Sequence, residues 1–387
     1  MFRRDVLIDY ALGRRLFEEI TMHLNRGWLV SRFSRALAAG VTLALAAVAG
    51  AADVARYEIF VSNEKSGDVT VLSSGDFKVV ATIPAGKRPR GIHASPDGRL
   101  AYVALSGTPI EEPPKLDANG SPILRKHEES DDDENLSADK SADGIGVIDV
   151  ASRKLIGKIN AGSDPEEFAL SKDGKYFYVS NEDVKTASVI NIQTGKLEHI
   201  VPVGQEPEGA ATSPDGTRFY ITCEAGGDVY AVDTRSYRVV GHFKVPVRPR
   251  SVAFLRAGAL ALVPSESTGQ LNVIDTDEFK VVQLVDLPAG SRPMSVKVSL
   301  DGKRIYVSDG RAGTISVLDA QTRALVGSIR VGQRPWGIVL SPDGRYLFSA
   351  NGPSNDVSVV DLTLNSEIAR VRAGERPWGV TVVARSD

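Results

Sequence analysis

Two short phrases near the end of the chain carry the residue types best suited to chemistry: Arg334-Pro335-Trp336-Gly337 and Arg376-Pro377-Trp378-Gly379. A guanidinium takes a carboxylate through two parallel hydrogen bonds, and an indole stacks on flat or cationic groups. The phrase recurs upstream as Arg88-Pro89-Arg90, Arg248-Pro249-Arg250 and Arg292-Pro293, and in acidic form as Asp164-Pro165-Glu166-Glu167 and Glu206-Pro207-Glu208. Arg88, Arg90, Arg248, Arg250, Arg292, Arg334, Trp336, Arg376 and Trp378 are the candidate binding residues, for a small anion or a protein partner. The sharpest version of the site is Arg334, Trp336, Arg376 and Trp378. The plain alternative is solvated loop charge repeated by consensus.

Other chemistry finds little support. Cys223 is the single cysteine, which rules out an intrachain disulfide, a Cys-x-x-Cys metal site and covalent haem attachment. Past residue 51 the histidines are His93, His127, His199 and His242. His93 falls four residues after Pro89, where the other copies of the phrase have Ala169, Ala211, Ala253, Lys297, Val339 and Thr381. A three-ligand metal site is therefore not expected, and His93 reads as structural. Neither G-x-S-x-G nor H-E-x-x-H occurs. No catalytic set and no cofactor are expected. A net charge of −3 gives no reason to expect nucleic acid as a partner.

The elements that must position these residues follow from a repeat. The phrase proline recurs as Pro89, Pro165, Pro207, Pro249, Pro293, Pro335 and Pro377, at a period of 42 residues apart from gaps of 76 after Pro89 and 44 after Pro249. Two landmarks keep phase with it. One is the Asp of an Asp-Gly turn (Asp97, Asp173, Asp215, Asp301, Asp343). The other is the end of a V-x-V-I-D phrase (Asn191, Asp233, Asp275, Asp319, Asp361). In one unit, apolar runs Trp336 to Leu340 and Tyr346 to Ala350 flank the turn Ser341-Pro342-Asp343-Gly344, and Val357 to Val360 and Glu367 to Val371 follow. Four short strands in about 42 residues make a propeller blade.

Six blades open at Pro89, Pro165, Pro207, Pro249, Pro293 and Pro335. The seventh must be composite, with Trp378 to Ala384 pairing with the runs Tyr57 to Val61, Val69 to Leu72 and Lys78 to Ile83. The expected fold is all-β, a seven-bladed β-propeller over 52–387 whose ring closes through both chain ends. The Pro249 unit departs from the pattern: Leu255-Arg256-Ala257-Gly258 replaces its Asp-Gly turn. The excess in the first gap places an insertion, about 107–143, between the second and third strands of the Pro89 blade. It is rich in proline and carries the acidic run Glu128 to Glu134, so it reads as a loop that emerges beside the arginine-bearing rim.

At the front, 1–51 reads as an extension plus signal peptide. Arg32 and Arg35 precede the apolar run Ala36 to Ala49, and Ala49-Gly50-Ala51 closes it with small residues. The run is too short for a stable membrane span. The polar stretch ahead of it makes Met22 an alternative start. The expectation is a periplasmic or secreted chain cleaved near Ala51.

The phrases Tyr178-Val179-Ser180-Asn181, Ser341-Pro342-Asp343-Gly344 and Ser316-Val317-Leu318-Asp319 resemble the YVTN family of β-propeller repeats, related in architecture to WD40 propellers. Seven such repeats behind a signal peptide look most like the propeller proteins that accompany bacterial PQQ-dependent alcohol catabolism. The resemblance implies an exported, mainly non-enzymatic binding or scaffold protein, accessory to a periplasmic redox or transport system. It supplies no catalytic residues to carry over. A lactonase-like hydrolase and a cofactor carrier or assembly factor are the alternatives left open.

Overall fold

The computed structural model describes residues 57–110 and 138–384, and among them there are seven four-stranded antiparallel sheets. The Pro335 blade shows how one unit folds. Its strands are Pro335–Leu340, Tyr346–Asn351, Asp356–Asp361 and Ser366–Arg372. The first turn is fixed by side chains. The Ser341 hydroxyl donates to Asp343, whose carboxylate also accepts from the Arg345 amide at 3.0 Å, while Ser341 Oγ accepts from the Tyr346 amide at 2.8 Å. Gly344 takes φ +69°, which costs glycine nothing. Asp361 caps the next turn by accepting from the amides of Thr363 and Leu364. Both sequence landmarks are therefore turn-closing carboxylates.

The ring closes as the repeat phase requires. Pro377–Ala384 pairs with Tyr57–Asn63, which continues into Asp68–Ser73 and Val79–Pro84 in one sheet. The insertion leaves after Leu100–Leu105 and returns before Gly144–Asp149, the second and third strands of the Pro89 blade. Its acidic run, Glu128 to Glu134, lies outside the described residues, as does 1–51, where an extension and signal peptide were expected. In the Pro249 blade the replaced turn becomes a 3-10 turn, Arg256–Gly258, with Arg256 and Ala257 at φ 51° and 53°. Among the described residues no helix is long and apolar enough to cross a membrane.

The core sits between neighbouring sheets. Phe60, Val69 and Ile83 of the closing blade pack with Ile92, Val103 and Ile148 of the Pro89 blade. Tyr178 stacks on Phe219 across the next-but-one junction, with centroids 4.2 Å apart. Each such side chain contributes roughly 1.5–3 kcal/mol by leaving water. The Val-Ser-Asn phrase ties blades together through polar bonds as well. Ser180 Oγ donates to the carbonyl of Glu208 and Ser308 Oγ to that of Trp336, both in the following blade. The neighbouring Asn181 and Asn351 donate to Ser188 and Ser358 on their own third strands. These bonds set the height at which each phrase meets the rim.

Candidate functional site

In all seven phrases the residue before the proline is left-handed. Arg88, Asp164, Glu206, Arg248, Arg292, Arg334 and Arg376 have φ between 43° and 66°. A non-glycine residue there costs about 1 kcal/mol or more, so something must hold it. In six blades its carbonyl accepts from the amide of the residue that follows the second strand: Glu64 to Arg376 at 2.9 Å, Glu182 to Asp164 at 3.1 Å, Glu224 to Glu206 at 2.8 Å, Glu266 to Arg248 at 2.9 Å, Gly310 to Arg292 at 2.8 Å and Gly352 to Arg334 at 3.3 Å. This turn sets the two side chains beside each other. Four of the six following residues are glutamates, and two are glycines.

Those glutamates were invisible to a charge count made on the proline phrases alone, and they change the rim. Arg90 and Arg250, expected on the open rim, are buried. Arg90 is 1% exposed and pairs with Asp164 at 2.6 Å and with Glu166, Glu182 lying 3.5 Å away. Arg250 is 7% exposed and pairs with Glu208 at 2.9 Å, Glu266 at 2.6 Å and Glu224. Arg248 joins that cluster through Glu224 and Glu266, and Arg88 pairs with Glu64 at 3.2 Å. These guanidiniums neutralise carboxylates of adjoining blades and act as cross-ring braces. Burial and the Glu208 carboxylate push the Glu224 pKa up to about 9 against the pull of Arg250 and Arg248, whereas the same two arginines outweigh burial at Glu266 and lower it. Glycines two residues past the phrase proline let neighbouring blades approach. A Cβ on Gly209 would meet the Arg250 carbonyl at 2.4 Å, and one on Gly379 the Arg90 carbonyl at 2.6 Å, so they permit neighbouring first strands to touch.

Arg334 stands apart. Its own blade has Gly352 in the glutamate position, and the preceding blade has Gly310. Among the described residues, no carboxylate lies within ion-pairing distance of Arg334 or of Arg292. The Arg334 guanidinium lies 4.8 Å over the Trp336 ring, and Trp336 stacks on Trp378 with centroids 5.6 Å apart and planes 25° apart. Burial lowers the Arg334 pKa; Glu266 pulls the other way, and Arg250, Arg376 and Arg248 add to the lowering. An arginine does not give up its proton, so this describes a charge short of partners. Among the described residues Arg376 pairs only with Glu64, at 3.7 Å. Arg334, Trp336, Arg376 and Trp378 line a cavity of about 230 Å³ together with Glu64, Gly352 and Pro353. The Gly352 position has the Trp336 ring 3.3 Å from where a Cβ would sit, so a side chain here would enter that cavity.

A second cavity, about 80 Å³, lies in the central channel beneath the tryptophans and is lined by His93, Glu167, Lys297 and Arg250 among others. His93 Nε2 is 2.8 Å from Glu167 Oε1, and its ring meets Phe168 edge-on. Cys223 is buried, and burial pushes its thiol up to about 12, which makes it inert. Among the described residues no group of three His, Cys, Asp or Glu side chains could hold a metal.

The sequence is similar over residues 218–373 to the family described as Lactonase, 7-bladed beta-propeller, and over residues 38–207 to the Choice-of-anchor I domain. It is 31% identical over 143 residues to Antigen Lp49 of Leptospira interrogans, an alignment covering 33% of this chain and 31% of that protein. The chain thus spans about a third of the length of the curated relative it matches. Solved structures with the same fold include hydrazine synthase of Kuenenia stuttgartiensis (TM-score 0.61, 19% identity, 77% of this chain and 96% of that one). A putative 6-phosphogluconolactonase from Bacteroides fragilis aligns at TM-score 0.65 with 16% identity, over 86% of this chain and 99% of that one. At such identities the likeness establishes the propeller fold alone.

Proposed function

We propose that this chain is an exported binding propeller that captures a carboxylate-bearing group in the pocket of Arg334, Trp336, Arg376 and Trp378, as an accessory to a periplasmic redox or transport system. The observation that carries the reading is Arg334 itself: a half-buried guanidinium over an indole, without a carboxylate among the described residues because Gly352 and Gly310 stand where other blades have glutamates. At about 230 Å³ the pocket is smaller than the roughly 300–1,000 Å³ typical of whole small-molecule sites. It suits one acidic group, from a partner's side chain or a small organic acid. Export rests on the N-terminal sequence, with similarity to a protein named as an antigen in its favour. The YVTN resemblance supports the tie to PQQ-dependent alcohol catabolism.

The test is direct, because the chain has three tryptophans and only Trp28 lies away from the pocket phrases. In a Trp28→Phe protein, fluorescence reports Trp336 and Trp378. Titration with benzoate should give a saturable change that disappears in the Arg334→Ala, Arg376→Ala double variant. A flat signal from the parent would sink the reading. The lactonase-like hydrolase is the runner-up, favoured by the family match over 218–373. It requires turnover of a sugar lactone by the purified chain, and absence of turnover ends it.

A further inference from the structure

Lys297 is out of pattern. It sits on the first strand of the Pro293 blade, Pro293–Val298, at the position where five other blades have Ala169, Ala211, Ala253, Val339 and Thr381 and the Pro89 blade has His93. First strands line the channel, and Lys297 and His93 line the same cavity from blades that are not neighbours. Among the described residues the Lys297 amine makes no hydrogen bond and no ion pair. Its counterpart is not idle. His93 Nε2 is 2.8 Å from Glu167 Oε1, and the same oxygen accepts from the Phe168 amide at 2.9 Å, which fixes the carboxylate. Gly91 leaves the room for it, since a Cβ there would lie 2.3 Å from Glu167 Oε1. The cavity also presents the Met294 side chain and both tryptophans, so one wall is apolar.

An amine without a partner, in a cavity beside a positioned imidazole–carboxylate pair, is an arrangement that adds to carbonyl carbon. We infer that the channel cavity takes a small aldehyde or ketone and holds it reversibly as an imine on Lys297, with His93 moving the protons and Glu167 positioning the imidazole. The Nζ lone pair forms a bond to the carbonyl carbon, and the C=O π pair moves to oxygen, which takes a proton from the His93 imidazolium. The new C–N nitrogen returns a proton to that ring. The ring then protonates the hydroxyl, which leaves as water while the nitrogen lone pair forms C=N–H+, and this iminium returns its proton to the ring. Amine and carbonyl thus give imine and one water, with nothing oxidised. Glu167 holds the ring in place through the cycle. Burial lowers the Lys297 pKa against the pull of Glu167, which raises the share of neutral amine. The other charges lining the cavity, Glu208 and Arg250, are paired with each other at 2.9 Å. A volume of about 80 Å³ restricts the ligand to about three carbons. This site shares Trp336 and Trp378 with the rim pocket but uses neither Arg334 nor Arg376, so its chemistry is separate from anion capture there.

The test is reductive trapping of the full chain with propanal and cyanoborohydride at pH 7, read residue by residue by peptide mass spectrometry. Lys78, Lys175 and Lys303, all exposed, serve as internal references. Lys297 should be labelled about tenfold faster than these. His93→Asn and Glu167→Gln should each lower the Lys297 rate several-fold while leaving the three references unchanged. Labelling of Lys297 at or below the reference rate overturns the site. A fast Lys297 that is indifferent to both substitutions overturns the roles of His93 and Glu167. Because propanal carries no charge, failure here leaves the benzoate titration at the rim unaffected, and failure there leaves this one.

Discussion

Single residues at the ends of the second strands decide what each blade does with its charge. Asp309 stands where three other blades have Asn63, Asn181 and Asn351, and it is fully buried with Oδ2 accepting from Ser316 and Thr314. Burial raises its pKa from 3.8 to about 6, against those hydrogen bonds. Because the folded pKa lies above the unfolded one, ionisation costs stability: the loss begins near pH 4 and is complete just above pH 6. Asp309→Asn should therefore stabilise the protein at pH 7 by up to about 3 kcal/mol and leave it nearly unchanged at pH 4. Urea unfolding at the two pH values checks this, and an equal effect at both would refute the assignment. At Glu224 the sign is the same, since its pKa is raised from 4.5 to about 9. Glu224→Gln should be neutral or stabilising at pH 7. Arg250→Met, by contrast, strands buried carboxylates and should cost about 3–5 kcal/mol, measured in the same assay.

At the level of the element, the blade was legible because turn chemistry and strand alternation repeat in fixed phase. The proline, the Asp-Gly turn and the V-x-V-I-D phrase each do a local job that a sequence exposes. Ring closure was legible for the same reason: three orphan strands at one end and one at the other complete a sheet. Removing Pro377–Asp387 should therefore open the closing blade and expose the edge of Tyr57–Asn63, lowering stability enough to cause aggregation on purification; a monomeric, cooperatively unfolding product would contradict it. The rim was legible only in part. Arg334, Trp336, Arg376 and Trp378 were identified as one group, and they do line one cavity. Arg90 and Arg250 were mistaken for open rim charges, because the pairing of each with the acidic phrase of another blade (Asp164 and Glu166, Glu208) depends on the closed ring, and Glu182, Glu224 and Glu266 follow a different strand. The missing signal was present one residue past the second strand of four blades, in Asn63-Glu64, Asn181-Glu182, Cys223-Glu224 and Ser265-Glu266. It becomes readable only once the left-handed turn brings that residue against the arginine. The Lys297–His93 juxtaposition joins two separate blades and depends on the closed ring.

Across the whole molecule, one surface position separates bracing from binding. Four blades place a glutamate against the neighbouring arginines, and two adjacent blades put glycine there, so among the described residues the stretch of the ring at Arg292 and Arg334 is a gap without a carboxylate. Similarity to a seven-bladed lactonase family and to other propellers concerns the scaffold, and the gap is read from this chain's own residues. The account predicts that filling the gap with the residue used elsewhere abolishes capture. In a Trp28→Phe background, Gly352→Glu should supply Arg334 with an internal carboxylate at the tolerated cost of a few tenths of an ångström at the Trp336 ring. The decisive measurement is a benzoate titration, followed by tryptophan fluorescence, of this variant beside its parent. The parent should saturate with an affinity of about 1 mM, or about 4 kcal/mol. The variant should lose at least about tenfold in affinity while its thermal unfolding remains cooperative, since about 1.4 kcal/mol of lost pairing is enough for that factor. Equal affinities in the two proteins would contradict the claim that Gly352 keeps the pocket open.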